Sequence, residues 1–264
     1  MSALRPDAVA GSFYPADAAT LRTLTDTLLA GHPAAAQPPK LLIVPHAGYA
    51  YSGATAATAY ALLAGARARI TRVVLLGPAH RVPLRSLAAP QAQAFDTPLG
   101  RVPVDRAALA SLADLPQVEY RDWPHANEHS LEVQLPFLQC VLGHFSLVPL
   151  VIGDAAPADV AEVLERLWDA DETLIVVSSD LCHYLPYAQA QAADRATVER
   201  ILALEPGLHA HQACGAIGID AALLAARRHG LVPRLLDLCN SGDTAGDRQR
   251  VVGYAAIAFE AAPR

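Results

Sequence analysis

Six apolar runs stand out along the chain: Leu41 to Val44, Val73 to Leu76, Leu147 to Ile152, Leu174 to Val177, Leu235 to Leu238 and Val251 to Phe259. They are short, rich in branched residues and mostly lack polar alternation, which predicts strands buried on both faces. Between them the period changes. Residues 157 to 168 open with Pro157, suited to a first helical turn, and carry Val160, Val163, Leu164 and Leu167 at i, i+3, i+4 and i+7. Further helices are expected over 53 to 66, 104 to 113, 129 to 142, 187 to 203 and 216 to 228. Strands alternating with helices predict an α/β fold with a central, mainly parallel or mixed sheet flanked by helices. The stretch from Pro33 to Pro39 reads as a connector. With no internal repeat or low-complexity segment, residues 1 to 264 are expected to form one domain.

Composition narrows the class. At 53% hydrophobic and 17% charged, the 264-residue chain can bury a large core. A formal charge of −6 and a pI near 5.9 argue against a nucleic-acid partner, which calls for a basic patch. Neither a signal-peptide core nor an apolar run of membrane-spanning length is visible, so a cytoplasmic, non-membrane protein is expected. Lys40 is the only lysine, leaving a single residue for Schiff-base chemistry. Cys140, Cys182, Cys214 and Cys239 are widely spaced, as expected of reduced thiols rather than a disulfide frame or zinc ribbon. Cys140 and Cys239 read as inert.

In open α/β sheets, ligands bind beyond the carboxyl ends of the strands. Three predicted strands end in histidine-bearing loops: Pro45-His46, Gly77-Pro78-Ala79-His80, and Ser178-Ser179-Asp180-Leu181-Cys182-His183. Histidines delivered to one sheet edge can give neutral imidazole nitrogens to one metal ion. Three such ends in one sheet favour a shared site over separate strand caps. The cluster from Pro124 to Glu132 opens a helix, with Glu128 or His129 as acid/base or supporting groups, Asn127 as the cap and Glu132 as an acidic first-turn residue. At Cys214-Gly215 a thiolate would gain from the N-terminus of the following helix. The turn from Asn240 to Asp247 could line the same edge or be solvated. Phosphate-loop, dinucleotide-fingerprint, H-E-x-x-H and G-x-S-x-G motifs are all missing, so a metal site is what remains; its third ligand stays open between Cys214, Glu128, Asp180 and Asp243.

Seven ordered pieces, Ala10-Gly11-Ser12-Phe13-Tyr14-Pro15, Pro45-His46-Ala47-Gly48-Tyr49, Gly77-Pro78-Ala79-His80, Glu128-His129-Ser130-Leu131-Glu132, Ser178 to His183, Cys214-Gly215 and Asn240-Ser241-Gly242-Asp243, resemble the Memo family in order and spacing, from about residue 5 to about 260. Prokaryotic members are called AmmeMemoRadiSam system protein B. The resemblance implies a fold like the class III (LigB-type) extradiol dioxygenases and a metal site at His46, His80 and Cys214. Iron or copper is the implied cofactor, with zinc also compatible. On this reading the protein is an oxidoreductase acting on an unidentified small molecule, with His129 and His183 moving protons and Asp180 orienting an imidazole or a water. A metal-handling protein without organic substrate is a second reading. A third is a peptide-binding module, disfavoured because only Arg81 and Arg85 lie beside the strand ends. The family name also implies an AMMECR-type protein and a radical-SAM enzyme as partners.

Overall fold

The computed structural model describes residues 4–168 and 171–262. In chain order its elements are β1 Leu4–Arg5, α1 Ala18–Leu29, β2 Leu41–Val44, α2 Tyr49–Ala61, β3 Arg72–Pro78, β4 Leu87–Ala89, β5 Ala94–Thr97, β6 Gly100–Pro103, α3 Arg106–Ala110 and β7 Val118–Tyr120. There follow α4 His129–Glu132, α5 Leu135–Leu142, β8 Ser146–Ile152, α6 Pro157–Arg166, β9 Thr173–Ser178, β10 His183–Leu185, α7 Tyr187–Leu202, α8 Ala216–Arg228, β11 Leu231–Asn240 and β12 Val251–Ala261.

The main sheet runs β10-β12-β2-β9-β3-β8-β4-β7, with β11 on the outer edge of β12. Its centre, β2-β9-β3-β8, is parallel throughout. These are the strands that read as unbroken apolar runs, and they are buried along almost their whole length, as a two-sided sheet requires. Antiparallel β12 joins the outer side of β2, and antiparallel β4 joins β8. Because β2, β9 and β3 are adjacent and point the same way, the loops carrying His46, Asp180 and His80 emerge side by side. The α/β expectation holds, with a mixed sheet.

Local differences have physical causes. The helix expected over 53 to 66 starts earlier, at Tyr49, and ends at Ala61; that expected over 104 to 113 shortens to Arg106–Ala110, capped by Asp105. The helix expected over 129 to 142 is two, because Pro136 cannot continue a helix and instead begins α5 within its first turn. The α4 cap is Glu128, whose side chain accepts from Ser130 N–H, and not Asn127. Helix α1 escaped the pattern because only Leu21 and Thr25 of it are buried. A second sheet, β1-β5-β6, is also new; it ties the N-terminal segment to the body.

Candidate metal centre

The loop after β2 brings His46 to the sheet edge, almost fully buried, while its backbone N–H donates to Asp180 Oδ1 at 2.7 Å. Its ring Nδ1 lies 2.9 Å from Ser178 Oγ. That hydroxyl already gives its one proton to Ser130 C=O at 2.5 Å, so the imidazole must be the donor. The Nε2 of His46 is therefore left with a lone pair. At the end of β3, His80 repeats the arrangement: its Nδ1 meets Glu128 Oε1 at 2.9 Å and its backbone N–H donates to Glu128 Oε2 at 2.6 Å. A carboxylate can only accept, so His80 donates from Nδ1, and in the neutral ring it is Nε2 that carries the lone pair. Locking one ring nitrogen as a donor to fix the other as a ligand is the usual supporting arrangement for metal-binding histidines.

His129, first residue of α4, packs its ring on that of His80 at 4.6 Å between centroids and lies 5.4 Å from His46. Its Nδ1 is buried without a hydrogen bond. The three imidazoles offer nitrogens that all lie within 4.8 Å of one another, close enough to hold one metal ion. Cys214 stands beside them, its Sγ 3.2 Å from His46 Nε2. An orphaned buried nitrogen, two imidazoles each anchored through Nδ1 and a neighbouring thiol form a donor set that fits a transition metal.

Electrostatics favour neutral rings at His46 and His129 in the metal-free protein. Burial, helped by the other imidazoles, holds His46 well below the usual histidine range, and burial brings His129 down to about 4. Glu128 is pushed up by burial, but hydrogen bonds from the His80 ring and backbone and from Ser130 N–H outweigh this and hold it at about 2. For Cys214, burial first and then the Asp180 carboxylate push the thiol up to about 12. Desolvation thus exceeds the pull of the amides at the N-terminus of α8, and the metal-free site carries a neutral thiol.

Asp180 contacts the backbone of His46 rather than an imidazole ring. Burial raises its carboxyl to about 7, opposed by the amides of His46 and Ala47. His183 donates from Nδ1 to Leu181 C=O at 2.9 Å and lies close enough for its charge to disfavour a proton on His46. Asn240 to Asp243 form a capped turn, with Asp243 accepting from Tyr187 O–H of α7. Glu132, read as an ordinary first-turn acid, is fully buried and accepts from Arg5, Ala8 N–H, Val9 N–H and Tyr14 O–H. The motif Ala10 to Pro15 was visible in the sequence; its distant partner was not.

A cavity of about 470 Å³ lies at the ends of β3, β8 and β9 and is walled by the first turn of α8. Cys214 and Ser178 line it, with Leu84, Ile152 and Leu208 among its apolar walls. None of the three clustered histidines does, so it approaches the centre from the thiol side.

The family model for the Memo-like protein matches residues 5–258. The chain belongs to the Memo family. A MEMO1 family protein of Aquifex aeolicus is 36% identical over 272 residues, covering 97% of this chain and 99% of that one. Another, from Methanopyrus kandleri, is 38% identical over 285 residues, covering 97% and 98%. Among solved structures, an uncharacterized protein of Escherichia coli K12 matches 82% of this chain and 98% of its own with a TM-score of 0.51. At 12% identity that likeness concerns the fold alone. Among the described residues of this Memo family protein, no helix is long and apolar enough to cross a membrane.

Proposed function

We propose that this Memo family protein binds iron or copper at its histidine cluster and acts as a dioxygenase-like oxidoreductase on a small molecule. The observation that carries the reading is the pair of anchored rings: His46 and His80 each donate from Nδ1 to a fixed partner, and both cluster with His129, with Cys214 at the Nε2 of His46. His46 and His80 are the central ligands. Cys214 adds a soft donor at the His46 nitrogen, and His129 closes the third imidazole side. Bound iron or copper would supply redox chemistry that no side chain here supplies; the nitrogen and sulfur donors also suit zinc.

The chain's own residues would then position and move protons. Asp180 holds the His46 backbone in place, and Glu128 orients His80. His183 keeps a lone pair on Nε2 and, held by burial below the usual histidine range, is poised to accept a proton from a bound substrate. The AMMECR-type protein and the radical-SAM enzyme are partners to test by co-purification. One observation favours the second reading, a metal-handling protein without organic substrate: the cavity touches Cys214 but none of the clustered imidazoles.

Elemental analysis of protein purified anaerobically, without chelator or affinity metal, tests the site. The parent is expected to carry near-stoichiometric iron or copper, and His46→Ala, His80→Ala and Cys214→Ser each to lose most of it with circular dichroism unchanged. Equal metal in all the variants would sink the assignment. Metal with no O₂ consumption across catechol-like compounds would favour metal handling.

A further inference from the structure

Two of the three clustered imidazoles are oriented by a hydrogen bond and the third is not. His46 is fixed through Ser178 and His80 through Glu128, whereas His129 Nδ1 has no hydrogen-bond partner. Glu128 Oε1 lies 3.4 Å from it, too far for a well-formed bond. The orientation of His129 must therefore come from its backbone and from packing. Its backbone belongs to α4, a single turn of four residues, too short to hold itself by its own hydrogen bonds.

What holds α4 is the N-terminal segment. Glu132, at the end of the turn, is completely buried and takes four donors: the Arg5 guanidinium, Ala8 N–H at 2.8 Å, Val9 N–H at 3.0 Å and Tyr14 O–H at 2.5 Å. Arg5, itself 5% exposed, reaches back along the same segment, giving Nε–H to His125 C=O at 2.9 Å and a second N–H to Glu128 C=O at 2.6 Å. One ion pair thus clamps α4 at Glu132 and the loop before it at residues 125 and 128. Phe13, on the strap between Val9 and Tyr14, lies with its ring 4.8 Å from that of His129. Its carbonyl also accepts Tyr49 N–H at 2.8 Å, where α2 leaves the His46 loop.

We infer that Arg5 and Glu132 are positioning residues for His129: by seating the N-terminal strap they set the third imidazole of the cluster, and through it the metal affinity. The inference rests on the reading that the cluster holds a metal. Its consequence is specific. Weakening the clasp misplaces His129 most directly; His80 leans on Glu128, whose carbonyl the clasp also holds, whereas His46, fixed through Ser178, stays in place. Substitutions of partners that orient metal ligands characteristically weaken binding tenfold or more.

The test is a double-mutant cycle on the full chain with Co²⁺ as the probe, its visible absorption reporting both affinity and coordination. Parent, Glu132→Gln, His129→Ala and the double variant are titrated, with folding checked by circular dichroism. Glu132→Gln is expected to weaken Co²⁺ binding about tenfold in the parent and less than about twofold in the His129→Ala background. Equal weakening in both backgrounds, or none in the parent, overturns the inference, because a general structural role does not depend on His129. If Glu132→Gln does not fold, Phe13→Ala takes its place in the same cycle with the same outcomes. A metal-independent readout runs alongside: ring ¹⁵N signals of the apo protein, in which Glu132→Gln should shift His129 and leave His46 unmoved. A parent that takes up no Co²⁺ refutes the proposed function, while the ring spectra still decide the positioning: an unshifted His129 overturns it.

Discussion

Glu128 and Asp180 are both buried at the centre, yet they settle far apart. Each accepts backbone N–H groups from a ligand-bearing loop, but Glu128 also receives the His80 ring, and this holds it at about 2 while Asp180 rises to about 7. Buried carboxylates recur as loop anchors elsewhere: Asp220 takes Gly207 and Leu208 N–H, and Asp194 takes Cys182 N–H. Opposite in character is His125, buried with Nε2 3.0 Å from Ala88 C=O and Nδ1 unbonded. Burial brings it down to about 4. The sign follows: between pH 6.5 and about 4 the unfolded chain binds a proton that the folded chain refuses, so stability is whole above that window and falls as pH drops through it. The loss attributable to His125 is about 3 kcal/mol across the window. Urea unfolding of metal-free parent and His125→Gln, which keeps a donor for Ala88, checks this. The variant's stability should fall less steeply; parallel curves would clear His125.

At the scale of elements, the break between α4 and α5 does more than obey Pro136. It turns Gln134 into the core, where its side-chain amide donates to Pro45 C=O at 2.9 Å and Ser178 Oγ at 2.8 Å and accepts from Tyr60 O–H at 2.7 Å. One side chain thereby connects the His46 loop, the end of β9 and α2. Gln134→Ala leaves several buried polar groups unmatched, each costing about 1 to 3 kcal/mol. We expect a stability loss of about 3 kcal/mol, read from the denaturant midpoint, and a loss below about 1 kcal/mol would mean that water replaces the amide. The pattern of apolar positions predicted a continuous helix here because Leu131, Leu135 and Leu138 keep helical spacing across the break. Periodicity reports which positions are buried, and burial survives the kink.

For the molecule as a whole, the site joins parts far apart in the chain: the strap from residue 4 to 15, two strand ends, α4, and Cys214 before α8. Metal binding should therefore act as a cross-link on the folded state. At a free metal concentration a hundredfold above Kd the stabilisation is about 2.7 kcal/mol, which for a chain of this size raises Tm by roughly 5 to 10 °C. Calorimetry with and without Co²⁺ checks this, and His46→Ala should abolish the shift. The amino-acid sequence by itself determined the buried parallel strands, the histidines at their ends and the resemblance to the Memo family, because these depend on local hydrophobicity, short motifs and their order. Tertiary structure alone decided that Glu132 is a buried anchor and not a first-turn acid, since its partners lie more than a hundred residues away in the sequence. It also decided that His129 joins His46 and His80, and that the Cys214 thiol is neutral without metal. Both depend on which strands lie side by side and how much water they exclude, quantities fixed only when the whole chain has packed.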